Sequence, residues 1–474
     1  MSAHRPTIQA TRHAVAASHY LAAEAGYAVL EAGGNAIDAG VAAGLTLGVV
    51  HSDIVNIAGV APIMIRLATG EIVSLDGLGV WPRATDIGMF QREHGGVIPE
   101  GILRTVVPAA PSAWLTALAR YGTMSLGEVA GMAIDCAAHG FPVYPLFANT
   151  IAENRERYAR WPDNARIYLP DGRPPAVGEI FLQTDLADTL RYLVDEERAR
   201  GGSRRDGLEA AHRAFYQGDV AVAIADYHRQ HGGWLEREDL AAFRVREEPT
   251  VAVAFGDLTV HCCGPWCQGP SLAQLLTLLA PLDLAGFGHN SDGYLHLLVE
   301  AVKRVFADRE RYIGDPAFNE VPLERLLGED YLGELRRAID PQRAWSPTDE
   351  AAGGTASGDL DTAYVAVVDH MGNCFSATPS DTSADTPVIP GTGLCPSSRG
   401  SQSRADPTHP AAAGPGRRPR LTPNPALVLK GNAPWLVFGT PGGDVQVQAM
   451  AQVLLNLAVF GMEVQEAVES PRVA

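Results

Sequence analysis

The chain has 474 residues, 46% of them hydrophobic, and a formal net charge of −18 at pH 7. That length fills a large core, two or three domains by size alone, and the acidic balance excludes a nucleic-acid surface, which requires a basic stripe. Met1-Ser2-Ala3-His4-Arg5-Pro6 lacks an apolar h-region, and the Ala- and Gly-rich run Ala39 to Val50 is too short to span a bilayer, so no membrane partner and cytoplasmic residence are expected. Cys136, Cys262, Cys263, Cys267, Cys374 and Cys395 lie without a framework spacing, which suits a reducing compartment. Cys262, Cys263 and Cys267 cluster, but His261 is the only further ligand nearby; ordinary thiols are expected, with no metal and no cofactor.

In chain order, apolar periodicity predicts helices over Ala16 to Glu31 and Asn35 to Val49, then strands over Ala61 to Leu67 and Ile72 to Ser74. Helices follow at Ser112 to Ala119, Leu126 to His139 and Thr184 to Arg200. Strands Thr250 to Phe255 and Leu258 to His261 precede helices Leu272 to Leu279 and Asp292 to Tyr312. Strands Tyr364 to Asp369, Cys374 to Thr378, Ala426 to Lys430 and Trp435 to Phe438 lead to a last helix, Val445 to Val459. Helices and strands in comparable amounts admit several α/β classes, and no internal repeat is visible. Two low-complexity stretches, Ser346 to Asp361 and Ala405 to Pro419, read as loops, the second as a lid over a substrate entrance. The basic cluster Arg417-Arg418-Pro419-Arg420 reads as a solvated loop, with a structural ion-pair role left open.

The small-residue run Gly353 to Asp361 stops at Thr362, which opens an alternating apolar strand. A threonine hydroxyl is a weak nucleophile unless a base lies beside it. A chain break immediately before Thr362 supplies that base as the freed α-amine, whose reference pKa of about 8 leaves part of it unprotonated near neutral pH. On the residues alone, Thr362 reads more readily as the start of a strand after a loop, the commoner arrangement. His370-Met371-Gly372-Asn373 predicts a tight turn, so that Thr362 heads a β-hairpin. Gly439-Thr440-Pro441-Gly442-Gly443-Asp444 precedes the last helix, and two glycines there form either an oxyanion hole of backbone N–H groups or a plain strand-to-helix turn.

Together these pieces resemble the γ-glutamyltransferase family of N-terminal-nucleophile hydrolases over nearly the whole chain. The ordered series that carries the resemblance runs through His19-Tyr20-Leu21-Ala22, Gly33-Gly34-Asn35-Ala36-Ile37-Asp38-Ala39, Tyr121-Gly122-Thr123-Met124 and Gly140-Phe141-Pro142-Val143. It continues through Phe215-Tyr216-Gln217-Gly218, Gly232-Gly233-Trp234-Leu235, the helix with Glu300 and Arg309, Gly314-Asp315-Pro316, and Pro415-Gly416-Arg417-Arg418-Pro419 to Gly442-Gly443. The resemblance implies an α+β fold, a four-layer αββα sandwich of two antiparallel sheets between helical layers. Residues 1–361 would be a large-subunit region ending in a pro-segment loop at about 346–361, and 362–474 a small-subunit region of the same interlocked fold. By the same likeness Thr362 is the nucleophile, Asp361–Thr362 the self-cleaved bond, and Gly442 and Gly443 the oxyanion hole. Ser380 then stands where the family has a threonine bonded to the nucleophile, and Thr382 at an asparagine that frames the site.

The substrate end departs from the pattern. Where glutamyl-transferring members clamp the α-carboxylate with an arginine, the chain reads Leu78-Gly79-Val80-Trp81-Pro82, and an apolar Leu78 does not replace a bidentate guanidinium. Arg83 is the nearest cation to reach in. Where the family holds the α-ammonium with acids, the chain reads Ser397-Ser398-Arg399-Gly400-Ser401-Gln402, leaving Ser401 and Gln402 at the place of the acids. Thr422, after Leu421, stands where a serine pair contacts the carboxylate. Gly264-Pro265-Trp266-Cys267-Gln268-Gly269-Pro270 and Arg399-Gly400 look closer to the oxamate-amidohydrolase-like branch.

Three functions follow. The first is a self-processing amidohydrolase or acylase of the family, acting on a small acid amide through an acyl-enzyme, with its two fragments as each other's partners. The second is a γ-glutamyltransferase or glutathione hydrolase with a rebuilt clamp. The third is a non-catalytic relative, since the family generally runs on beyond the stretch at which this chain stops, Ala474.

Overall fold

A computed structural model describes residues 3–346 and 361–474. The expected pro-segment loop therefore lies outside the described residues, apart from Ser346 and Asp361 at its two ends. Numbered in chain order, the strands are β1 (Ala14–Ala17), β2 (Ile63–Arg66), β3 (Ile72–Leu75), β4 (Phe141–Pro142), β5 (Ile180–Phe181) and β6 (Glu247–Glu248). They continue as β7 (Val251–Phe255), β8 (Leu258–Cys262), β9 (Val365–Val368), β10 (Cys374–Ala377), β11 (Ala426–Lys430) and β12 (Ala433–Phe438). One sheet has the order β1-β9-β10-β2-β3-β6 and a second β12-β11-β8-β7, with β4 and β5 a separate pair. Every pairing within the two sheets is antiparallel.

The layers follow from which faces are apolar. Strand β7 alternates buried and exposed residues along Val-Ala-Val-Ala-Phe, so one face meets the helix Gly269–Leu279 and the other meets solvent. Behind that helix stand Asp292–Tyr312 and Val445–Ala458. On the first sheet, the helix Ala36–Val50 lies across β9 and β10 and is buried at every position. Its Gly40 permits that approach: a Cβ there would meet the Phe375 ring at 2.1 Å. The sheets face each other through β9, β10 and β12, with Met64, Leu78, Trp266, Cys374, Leu421 and Leu427 buried in one cluster between them. The result is the expected αββα sandwich.

The Ala36–Val50 helix starts where the sequence places it because Asn35 and Asp38 form a reciprocal cap, the Asn35 side chain accepting from the Asp38 N–H and Asp38 from the Asn35 N–H. Asp38 also accepts from the Thr123 hydroxyl at 2.7 Å and the Met124 N–H at 3.0 Å, which ties two of the sequence blocks together.

Four expectations are corrected. Ala14–Ala17 is a strand paired with Val365–Val368, and the first helix begins only at Tyr20, capped by His19; the alanines read locally as helix, but the empty edge of β9 claims them. The span Leu126 to His139 is two helices, Leu126–Val129 and Gly131–His139, broken at Ala130. The cluster at 417–420 is not a solvated loop. Arg418 is 1% exposed in its side chain, 2.9 Å from Asp76, 2.7 Å from Glu248 and 2.8 Å from Asp315, and Arg420 lies 2.7 Å from Glu310. Burial pushes the Asp76 carboxyl up to about 6 against the pull of Arg418, and burial lowers Arg420 to about 10. Ala405 to Pro419 is stitched to the body rather than free as a lid. Trp81 exchanges backbone bonds with Gly416 and Arg417 at 2.9 and 2.8 Å, and Asn319 holds the Pro410 carbonyl at 2.8 Å.

Candidate active site

Thr362 is 1% exposed and lies just ahead of β9. Its φ of 100° is one that non-glycine residues avoid, at a cost of about 1–3 kcal/mol. The neighbouring bonds fix it there: its N–H points at the Ile54 carbonyl at 3.4 Å, and the Ala363 N–H is held by the Pro379 carbonyl at 2.9 Å. The turn at Asp369 to Asn373 closes the hairpin as the sequence predicts, with Gly372 at φ 85°.

Two hydrogen-bonding groups meet the Thr362 hydroxyl. Ser380 Oγ lies 2.7 Å from Thr362 Oγ1, and Asp361 Oδ1 lies 3.3 Å from it. Ser380 is positioned by a two-way backbone bridge to Val60. Arg399 donates through one Nη to both Ser380 Oγ and the Asp361 carboxylate, and its Nε lies 3.2 Å from Asp381 Oδ1. A guanidinium accepts nothing, so Ser380 accepts from Arg399, and one hydroxyl of the Ser380–Thr362 pair donates to the other. Asp361 Oδ1 is a further acceptor within reach of the Thr362 O–H. Arg399, the two hydroxyls and the Asp361 carboxylate form one hydrogen-bonded cluster.

Asp381 anchors this cluster from behind. It has φ 114° and accepts from Ser397 Oγ at 2.6 Å and from the Ser398 N–H and Oγ at 3.1 and 2.8 Å. Burial raises its carboxyl to about 6, partly opposed by Arg399. Burial also works against the Arg399 charge, but Asp361 and Asp381 outweigh it and hold the guanidinium above its ordinary value.

The Gly442-Gly443 turn lies on the other side. The Gly442 N–H points at the carbonyl oxygen of Asp361 at 3.4 Å. Both glycines have positive φ, 115° and 55°, a path closed to most side-chain-bearing residues. Arg309 forks onto Asp444 at 2.6 and 3.0 Å and holds Gln268 Oε1 at 3.1 Å. Gln268 in turn donates to the Gly443 carbonyl at 3.0 Å and the Thr422 carbonyl at 2.8 Å. The turn is thereby locked to the helix Asp292–Tyr312.

Of the residues picked from sequence, Thr362, Asp361, Ser380 and Gly442 converge, with Gly443 next in the turn. Thr422 and Gln402 pair with each other, Nε2 to Oγ1 at 2.7 Å and N–H to Oε1 at 3.1 Å. Ser401 sits in the 3-10 turn Arg399–Gln402 and donates its N–H to Ser398. Thr382 is buried, its hydroxyl engaged by the Ala384 N–H at 3.2 Å. Leu78 and Arg83 do not join the site. Leu78 is fully buried between the sheets, and Arg83, 60% exposed, is bound to Asp239 at 3.0 Å and lines a separate cleft with Trp81 and Phe243. Sequence reasoning missed Arg399, Asp381, Gln268 and Asp444 as site residues. The three buried sulfurs of Cys262, Cys263 and Cys267 are free thiols, Cys267 facing Asn424 Oδ1 at 3.7 Å.

An αββα sandwich with a buried hydroxyl at the start of an inner strand, and a backbone amide on the carbonyl that precedes it, is the arrangement of an N-terminal-nucleophile amide hydrolase or acyltransferase. The family model described as gamma-glutamyltranspeptidase matches residues 22–474, and the chain belongs to the γ-glutamyltranspeptidase family. It is 34% identical to the acylase ACY 1 proenzyme of a Pseudomonas species, over 91% of this chain and 77% of that protein. It is 28% identical to the glutathione hydrolase proenzyme of Escherichia coli over 91% of this chain and 75% of that one. Among solved structures, the cephalosporin acylase of Bacillus halodurans superimposes with a TM-score of 0.88 at 29% identity, covering 100% of this chain and 85% of its own. The γ-glutamyltranspeptidase of Helicobacter pylori gives 0.66 at 30% identity, covering 75% of this chain and all of its own.

Proposed function

We propose that the chain is a self-processing N-terminal-threonine amidohydrolase that cleaves a small acid amide through an acyl-enzyme on Thr362. The observation that carries this reading is the Asp361 carbonyl, one bond from Thr362, resting on the Gly442 N–H at 3.4 Å. The carbonyl to be attacked already lies where its developing negative charge is stabilised.

Before cleavage Thr362 has no free amine, and the carboxylate within reach of its hydroxyl is that of Asp361, Oδ1 at 3.3 Å. In maturation Asp361 takes the hydroxyl proton as the Oγ–C bond forms, and Gly442 stabilises the oxyanion. The C–N bond then breaks as Asp361 passes the proton to its nitrogen, which leaves as the Thr362 amine. Water hydrolyses the resulting ester to a new carboxylate at 361 and a free Thr362. Loss of the positive-φ constraint favours the cut. In turnover the amine replaces Asp361 as base. Oγ attacks the substrate amide, the amine passes the proton to the leaving nitrogen, and water or another amine accepts the acyl group. Arg399 and Ser380 orient the hydroxyl throughout.

A γ-glutamyl substrate is disfavoured by the commitments already described: Leu78 is walled in, Arg83 is paired with Asp239, and Asp381 is saturated by Ser397, Ser398 and Arg399. The reading is tested by acid-quenching the matured enzyme during turnover of an amide it accepts. The fragment beginning at Thr362 gains the mass of the acyl group; an adduct confined to any other residue contradicts it.

A further inference from the structure

We infer that Arg399 is the seat of a carboxylate on the substrate's acyl group, set at the spacing found in a succinyl amide; this rests on Thr362 being the nucleophile. In the uncut chain the acyl group next to Thr362 is the aspartyl residue itself. Its carbonyl oxygen faces the Gly442 N–H, and its side-chain carboxylate is bound by Arg399. Any acyl group later carried on Thr362 Oγ1 puts its carbonyl against the same N–H. Asp361 is therefore an internal template, and its carboxylate stands two carbons from its carbonyl, the skeleton of succinate.

Withdrawal of Asp361 after the cut, which this seat requires, removes one of the two acids in contact with Arg399. Asp381, held by Ser397 and Ser398, stays within ion-pair distance of Nε at 3.2 Å, while the Nη edge retains Ser380. Arg399 is 3% exposed, so the vacated edge is a buried cation short of an acceptor, and an incoming carboxylate restores the arrangement. Neither step of the reaction changes: Oγ attacks the amide carbonyl, the amine is released, and water frees the dicarboxylic acid. The binding of a distal carboxylate also needs no α-ammonium, in keeping with Ser401 and Gln402 standing where acids would hold one.

The test uses matured wild-type enzyme and the nitroanilides of malonate, succinate, glutarate and butyrate, the last a neutral mimic of the second. Succinyl anilide is expected to exceed butanoyl anilide by about a hundredfold in kcat/KM, and to be the best of the three acids. Arg399→Met is expected to abolish that difference while Arg399→Lys keeps part of it; if either variant fails to mature, the wild-type series decides alone. Equal or faster cleavage of butanoyl anilide overturns the charged seat, and a maximum at malonyl or glutaryl overturns the spacing. If the enzyme matures but turns over none of these anilides, stabilisation against heat by succinamate, the monoamide, and not by the uncharged butanamide supports the seat, and the absence of that difference overturns it. A chain that never matures removes the Thr362 reading itself, and this inference with it.

Discussion

At the scale of single residues, the site is a hydrogen-bonded cluster of a guanidinium, two hydroxyls and a carboxylate, and each member has a distinct consequence when changed. Asp361→Asn removes the acceptor for the Thr362 proton while keeping its shape, and is expected to slow chain cleavage by about a hundredfold, read as the ratio of intact to cut chain over time. Asp361→Glu keeps a carboxylate and should lose less. Asp381 carries a pH dependence. Its carboxyl is raised from 3.8 to about 6 by burial, so the folded protein binds this proton more readily than the unfolded chain. The stability it contributes is full below about 3.8 and is lost as the pH rises through about 6. Asp381→Asn does not titrate, so between about pH 4 and pH 7 the melting temperature of the variant should gain on that of the wild type, by the equivalent of about 2–3 kcal/mol. A gap that stays constant over that range contradicts the assignment. Thr362 and the glycine pair were legible as candidates only through the family resemblance, because a small-residue run ending at a strand, and two glycines before a helix, each also read as ordinary structure. Arg399 was not: its meaning depends on Asp361 and Ser380, far off in sequence, and the stretch around it was notable only for the acids it lacks.

At the scale of elements, strands and helices with strong periodicity stand nearly residue for residue where the sequence predicts them, among them Thr184–Arg200, Asp292–Tyr312 and Ala426–Lys430. The failures have a common cause. Ala14–Ala17 carries no local strand preference and becomes one only because β9 offers it a partner. Helices Arg204–Tyr216 and Asp219–His231 are absent from the periodicity reading, although Ser203 and Asp206 form a capping box that announces the first of them. The cluster at 417–420 reads as solvated because charge runs usually are; its acids come from Asp76, Glu248, Glu310 and Asp315, none of them near in sequence. Arg418 joins the end of the first sheet to the segment at Asp315, so its role is mechanical. Arg418→Met leaves Asp76 and Asp315 buried without their cation and is expected to cost about 3–5 kcal/mol in denaturant unfolding, whereas Arg417→Met, which removes a guanidinium stacked 5.0 Å from Phe318, should cost less than about 1 kcal/mol.

At the scale of the whole molecule, the residues after 361 do not form a separate body. Strands β9 and β10 lie between β1 and β2, and β11 pairs with β8. A cut between Asp361 and Thr362 therefore leaves both sheets intact, and the two fragments are expected to elute together under native conditions and to part only in denaturant. The αββα layering itself was legible through the family resemblance and not through periodicity, which admits several α/β folds. Self-processing at Thr362 is tested most directly by the intact mass of purified wild-type protein after incubation, beside that of Thr362→Ala. Two wild-type chains are predicted, the smaller beginning at Thr362, and one uncut chain for the variant. A folded wild type that stays whole, or is cut at another bond, contradicts self-processing there.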